Sequence, residues 1–210
     1  MSETLDINAT ATPTWTEEEI RQQPETWLNA LKNLDNQRCE LDAFLKPVLN
    51  TGNVKIILTG AGTSAFIGDI IAPWLAHHTQ LDIVAVPTTD IVSNPMDYFS
   101  KDRTTLLVSF ARSGNSPESV AAVELANQMI DNSYHLMITC NDAGALYRDA
   151  HNNPRAYALL MPAETHDLGF AMTSSITTMM ASCLAVFAPE VFGSRVTPAA
   201  ISGSRIASLC

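Results

Sequence analysis

This 210-residue chain is short of positive charge, of cysteine and of long apolar runs. Lysine and arginine number 12 against 22 aspartate and glutamate, giving a formal net charge of −10. No basic stripe exists to neutralise a nucleic-acid backbone, so no nucleic-acid partner is expected. A single phosphate held by local dipoles stays compatible with that balance, which mainly favours solubility. Cys39, Cys140, Cys183 and Cys210 form no CxxC and show no metal-ligand spacing. Free thiols in a reducing cytoplasm are the simplest expectation, with neither a metal nor a disulfide framework. No apolar run reaches the ~18 residues of a membrane span. The richest stretch, Ile176 to Phe187, is interrupted by Thr177, Thr178 and Ser182 and reads as a buried helix. Met1 to Pro13 is polar and acidic, unlike a secretory leader, and residues 1–14 read as disordered.

What the chain does have is order along its length. Trp15-Thr16-Glu17-Glu18-Glu19-Ile20 reads as a helix start, with Thr16 as N-cap, Glu19 completing a capping box and Trp15 stapled to Ile20. Pro24 is expected to break that short helix and to open a longer one, in which Trp27, Leu31, Leu34, Leu41, Phe44, Leu45 and Val48 recur at helical spacing. Residues 15–51 thus form a helical extension ahead of a main domain at 52–190. In that domain strands are predicted at 54–59, 82–86, 104–109, 135–140 and 156–161, and helices at 64–77, 116–131, 143–149 and 171–188, with a turn at 94–99. The strands are nearly continuous in apolar residues, as in a sheet covered on both faces. The alternation predicts an α/β fold, a doubly wound five-stranded parallel sheet of flavodoxin-like order, with ligands at its carboxyl edge. Residues 191–210 carry little periodicity and read as an irregular tail.

Two loops fall at that edge, Gly60-Ala61-Gly62-Thr63-Ser64 and Ser109-Phe110-Ala111-Arg112-Ser113-Gly114-Asn115-Ser116. Each follows a strand pattern and opens a helical one. Amide N–H groups at a helix start, beside small hydroxyls, hold a phosphate without a lysine. Each loop alone is equally explained as a tight turn with a capping serine. Together they make a phosphorylated small molecule the leading ligand class, with Gly62, Thr63, Ser64, Arg112, Ser113, Gly114, Asn115 and Ser116 as the phosphate-binding set. Gly60-x-Gly62-x-x-Ala65 also fits a dinucleotide fingerprint loosely. That motif needs an acidic residue ending the second strand, and here Val84-Ala85-Val86-Pro87-Thr88 stands there.

The pair of loops, in this order and spacing, resembles the sugar isomerase (SIS) domain family, whose members bind phosphosugars. Glu164-Thr165-His166-Asp167-Leu168-Gly169-Phe170-Ala171-Met172-Thr173-Ser174-Ser175 is similar to the Glu-Ile-Gly-Val-Ala-Ser-Thr segment of glucosamine-6-phosphate synthase, with Asp167 at the glutamate's place. From about Trp15 to Glu190 the chain looks like the bacterial tagatose-6-phosphate ketose/aldose isomerases, also described as galactosamine-6-phosphate deaminase/isomerases. The family's second-loop pattern, Ser-Gln-Ser-Gly-Glu-Thr, falls on Ala111 to Ser116, where Ser113, Gly114 and Ser116 match and Ala111 lacks the hydroxyl. The resemblance implies aldose–ketose isomerisation or deamination of an amino- or deoxy-hexose 6-phosphate, without a metal or redox cofactor, in a homo-oligomer. It also implies a second SIS domain supplying further site residues, so the chain is expected to be truncated after the first and impaired in turnover.

Such chemistry needs a base to carry a proton between C1 and C2, an acid for ring opening, and stabilisation of an enediolate. Glu164, His166 and Asp167 form the only dense acid/base cluster beyond the strands and are the candidate catalytic residues. The sequence leaves open which carboxylate is the base. It equally allows Asp167 to cap the following helix and His166 to be a surface residue. A phosphosugar-binding module without catalysis is the alternative function.

Overall fold

A computed structural model describes residues 13–192. The expectations for residues 1–12 and 193–210 lie outside the described residues. Two helices, α1 (Trp15–Asn36) and α2 (Arg38–Leu49), precede a regular alternation. It runs β1 (Lys55–Gly60), α3 (Thr63–Thr79), β2 (Asp82–Ala85), α4 (Thr88–Ser93), β3 (Thr105–Ala111), α5 (Pro117–Met129), β4 (Ser133–Thr139), α6 (Ala145–His151) and β5 (Ala156–Leu160). Helix α7 (Ser174–Phe187) and the short α8 (Pro189–Phe192) follow. Short 3-10 turns stand at Pro95–Asp97 and Ala163–Thr165.

The five strands pair in parallel in the order β2-β1-β3-β4-β5, the order expected from the sequence. Side chains alternate across a strand, and here the alternation divides the interior into two cores. Ile56, Leu58, Leu106, Val108, Phe110, Leu136 and Ile138 share one core with residues of α1, α2, α3 and α7. Ile57, Leu107, Ala111 and Met137 share the other with residues of α4, α5 and α6. Burial on both faces is why the strands read as unbroken apolar runs.

The N-terminal helices differ from expectation. The N-cap of α1 is Thr14, whose hydroxyl accepts from the Glu17 amide, not Thr16. Glu19 closes no capping box; it is buried and turned toward a distant loop. Trp15 and Ile20 are both more than half exposed, so no staple forms. Pro24 lies inside α1, and the break comes at Gln37. An interior proline costs about 3 kcal/mol in an isolated helix. Tertiary contacts hold α1 through it: Thr26 bonds Thr178 and the Trp27 indole N–H donates to Thr177, both on α7. Helix α7 begins at Ser174, three residues later than the predicted start, which leaves 171–173 in a loop. The six-residue α4 was not anticipated, since Thr88-Thr89-Asp90-Ile91-Val92-Ser93 is too short to show a period.

His135 on β4 is fully buried, with Nε2 2.8 Å from the Asn127 side-chain oxygen. Burial pushes its pKa from 6.5 down to about 4. Between those values the unfolded chain binds a proton that the folded chain refuses, so stability falls as pH drops from about 6.5 toward 4. From pH 7 to pH 5 the imidazole should remove about 2 kcal/mol. Urea midpoints for wild type and His135→Gln at both pH values check this. The wild type should lose the larger share, and equal losses refute the assignment.

Candidate functional site

The strand order reverses between β1, with β2 on its far side, and β3, which leads on to β4 and β5. In such sheets ligands bind at the carboxyl ends of the strands flanking the reversal. β1 and β3 are in register from Lys55 opposite Thr105 to Gly60 opposite Phe110, so their loops leave the sheet side by side. Gly62 and Gly114 turn those loops with φ of +54° and +66°, a region L side chains rarely adopt.

Ser64, Arg112, Ser113, Gly114 and Ser116 line one cavity of about 140 Å³. Five of the eight phosphate candidates therefore meet; Gly62, Thr63 and Asn115 do not line this cavity. Asn115 has another task, its side-chain oxygen accepting the Ala145 amide at the start of α6. The volume lies below the ~300 Å³ at which pockets for whole drug-sized ligands begin, and it suits a compact anion. Ala61, Phe110 and Ala111 of the same loops also line it, as do Ser119 and Met172, which were not foreseen. Ser119 lies one turn beyond Ser116, whose hydroxyl donates to it at 2.6 Å, a spacing that was present in the sequence. The Ser64 hydroxyl contacts Met172 sulfur at 3.7 Å. Neither α3 nor α5 has a side chain bonded over its N-terminus. Arg112 brings the cation, with Nη1 donating to the Gly169 carbonyl at 3.3 Å.

The three acid/base candidates are not brought together on this cavity. Asp167 is buried, and its carboxylate accepts from the amides of Thr173, Ser174 and Ser175 and from the hydroxyls of Thr173 and Ser175. It caps α7. Glu164 and His166 are exposed and line a separate hollow of about 410 Å³ with Trp15, Glu18, Glu19 and Gln22 of α1. His166 Nδ1 lies 3.3 Å from the Cys140 carbonyl oxygen. The Cys140 thiol, at the end of β4, is pushed up to about 12 by burial, so it is no nucleophile at neutral pH. Among the described residues no three His, Cys, Asp or Glu side chains are grouped for a metal, and no helix is long and apolar enough to cross a membrane.

A five-stranded parallel sheet with helices on both faces defines the doubly wound α/β class, and the chain belongs to the SIS domain family, whose model matches residues 51–189. Its similarity extends to particular proteins. It is 67% identical over 195 residues to D-galactosamine-6-phosphate deaminase AgaS of Escherichia coli, covering 93% of this chain and 51% of that protein. The protein of that name from Shewanella sp. is 48% identical over 179 residues, covering 84% of this chain and 46% of that one. The crystal structure of tagatose-6-phosphate ketose/aldose isomerase from Escherichia coli superposes with a TM-score of 0.85 at 69% identity, covering 87% of this chain and 50% of that one. The chain thus spans about half the length of the relatives it matches.

The Asp167 cap gives a direct expectation. Asp167→Ala leaves buried donors of α7 unsatisfied and should cost about 3 kcal/mol, read as a lower urea midpoint at unchanged m. An unchanged midpoint would show that the cap contributes nothing.

Proposed function

We propose that this chain is the phosphate-binding half of an aldose–ketose isomerase or deaminase acting on galactosamine 6-phosphate or tagatose 6-phosphate type substrates. The observation that carries this reading is the meeting of Ser64, Ser113 and Ser116, from two loops, on one anion-sized cavity at the sheet reversal. The names of the similar proteins, a galactosamine-6-phosphate deaminase and a tagatose-6-phosphate isomerase, support the substrate class. The phosphate is held by the Ser64, Ser113 and Ser116 hydroxyls, by loop amides at the starts of α3 and α5, and by Arg112. Gly62, Thr63 and Asn115 contribute through loop shape.

A hexose phosphate anchored there extends its carbon chain out of a cavity too small to enclose it. Interconversion moves a proton from C2 of the aldose to C1 of the product through an enediolate. With a 2-amino group the corresponding tautomer is an imine, which water hydrolyses to the ketose phosphate and ammonia, a hydrolase step. No metal or redox group enters that balance. Glu164 and His166, both solvent-accessible, are the proton carriers in this reading. Asp167, with its oxygens committed to α7, is a positioning residue. Assembly as a homo-oligomer in the cytoplasm belongs to the same reading, with Phe66 and Ile70 of α3 exposed for contact.

A second reading, a phosphosugar-binding module without turnover, is favoured by the separation of Glu164 and His166 from the anion cavity. Galactosamine 6-phosphate given to the folded chain, with ammonia and ketose phosphate measured, distinguishes the two. Turnover supports the enzyme, saturable calorimetric binding without turnover supports the module, and absence of both refutes the phosphosugar assignment. Replacing Ser113 and Ser116 together by alanine should weaken sugar-phosphate binding about 10- to 100-fold, the loss of two hydrogen bonds to an anion. Affinity for the unphosphorylated sugar should not change.

A further inference from the structure

Glu19 is an acidic side chain 5% exposed, and it forms no salt bridge among the described residues. Its Oε1 accepts the amides of Leu168 at 2.6 Å and Gly169 at 2.7 Å, and its Oε2 lies 3.3 Å from the Thr173 hydroxyl. Burying a carboxylate is costly unless donors surround it, and here the donors belong to a loop some 150 residues away in sequence. That loop is held at both ends by carboxylates. Glu19 takes the amides of 168 and 169, and Asp167 takes those of 173, 174 and 175. Between the two anchors the chain arches outward, with Phe170 fully exposed. It returns through Met172, which lines the anion cavity and contacts Ser64. At the first anchor the Gly169 carbonyl accepts from Arg112, the cation of the same cavity. A Cβ at Gly169 would lie 2.8 Å from Glu19 Oε2 and 2.9 Å from Thr16 Oγ1, so loop and helix are already in close contact.

We propose that Glu19 is a positioning residue of the site: from α1 it fixes the 168–172 loop, and through Gly169 and Met172 it sets the placement of Arg112 and Ser64. This rests on the phosphosugar reading only for the identity of the ligand. The helical extension is therefore part of the binding machinery as well as a cover for one core. Gln22 adds to the clamp, donating to the Glu164 carbonyl and the Ser174 hydroxyl from the next turn of α1.

Hydrogen exchange over residues 168–173 and 110–116, together with titration by galactosamine 6-phosphate and by inorganic phosphate, tests this. In Glu19→Ala, exchange at 168–173 should rise at least tenfold while 178–187 of α7 stays protected, and both phosphate probes should bind about tenfold more weakly. Glu19→Gln keeps an acceptor of the same reach and should restore most of both. Gly169→Ala sets a methyl against the Glu19 carboxylate and the Thr16 hydroxyl, displacing the carboxylate from the 168 and 169 amides while leaving its charge in place, and should reproduce the loosening, which covers the case of a poorly folded Glu19→Ala. Unchanged loop exchange in both Glu19→Ala and Gly169→Ala overturns the proposal, as does a loosened loop with undiminished phosphate affinity. If the wild type binds neither probe, the functional reading falls, and the exchange data alone decide the role of Glu19.

Discussion

The parallel pairing of β1 with β3 is the constraint on which the site depends. Six residues of each strand run in register, and the crossovers leave that pair in opposite directions, toward β2 on one side and β4 on the other. The loop after each strand then enters a helix, and Ser64 at the start of α3 and Ser116 before α5 border one opening. A slip of one residue in this register would exchange the faces of β3, moving Leu106, Val108 and Phe110 out of their core. Core packing and site geometry are thus fixed by the same ladder.

The three helices around the site treat their N-termini differently. Helix α7 is neutralised internally, with Asp167 absorbing its first amides. Helices α3 and α5 carry no such side chain. A helix start attracts negative charge through its unpaired amides and its dipole. Where the chain supplies its own carboxylate the attraction is spent on stability, and where it does not the attraction is available to an incoming anion. In the reading proposed above, a chain of net charge −10 receives an anion this way, with Arg112 as the cation at the cavity wall.

Much of this was legible in the sequence because it is local. Strand runs, loop glycines and the Ser116-Pro117 start of α5 lie within a few residues of what they determine, and the five strands fall close to their predicted spans. What escaped was set by distant partners. Thr16 with Glu19 has the spacing of a capping box, yet Glu19 bonds residues 168 and 169 instead. Pro24 has the mark of a helix break, yet α1 continues because Thr26 and Trp27 reach α7. In the cluster at 164–167, neighbouring residues diverge: Asp167 turns inward to α7 while Glu164 and His166 face a hollow beside α1. Sequence proximity grouped three ionisable side chains that a 3-10 turn at Ala163–Thr165 and the start of α7 send in different directions.

That divergence bears on how the chain manages protons. A general base must meet solvent or substrate, and it must have an oxygen or nitrogen to spare for the proton. Asp167 meets neither condition, since five donors converge on its two oxygens. Cys140, close enough to Asp167 for its charge to be felt, keeps its own proton at neutral pH. Asp167, through its hydrogen bonds, is committed to holding the start of α7 in shape. A side chain that exchanges a proton with a ligand has to reach solvent or that ligand. Glu164 and His166 do reach solvent, in the hollow beside α1, and the proposed reading leaves proton transfer to them for that reason.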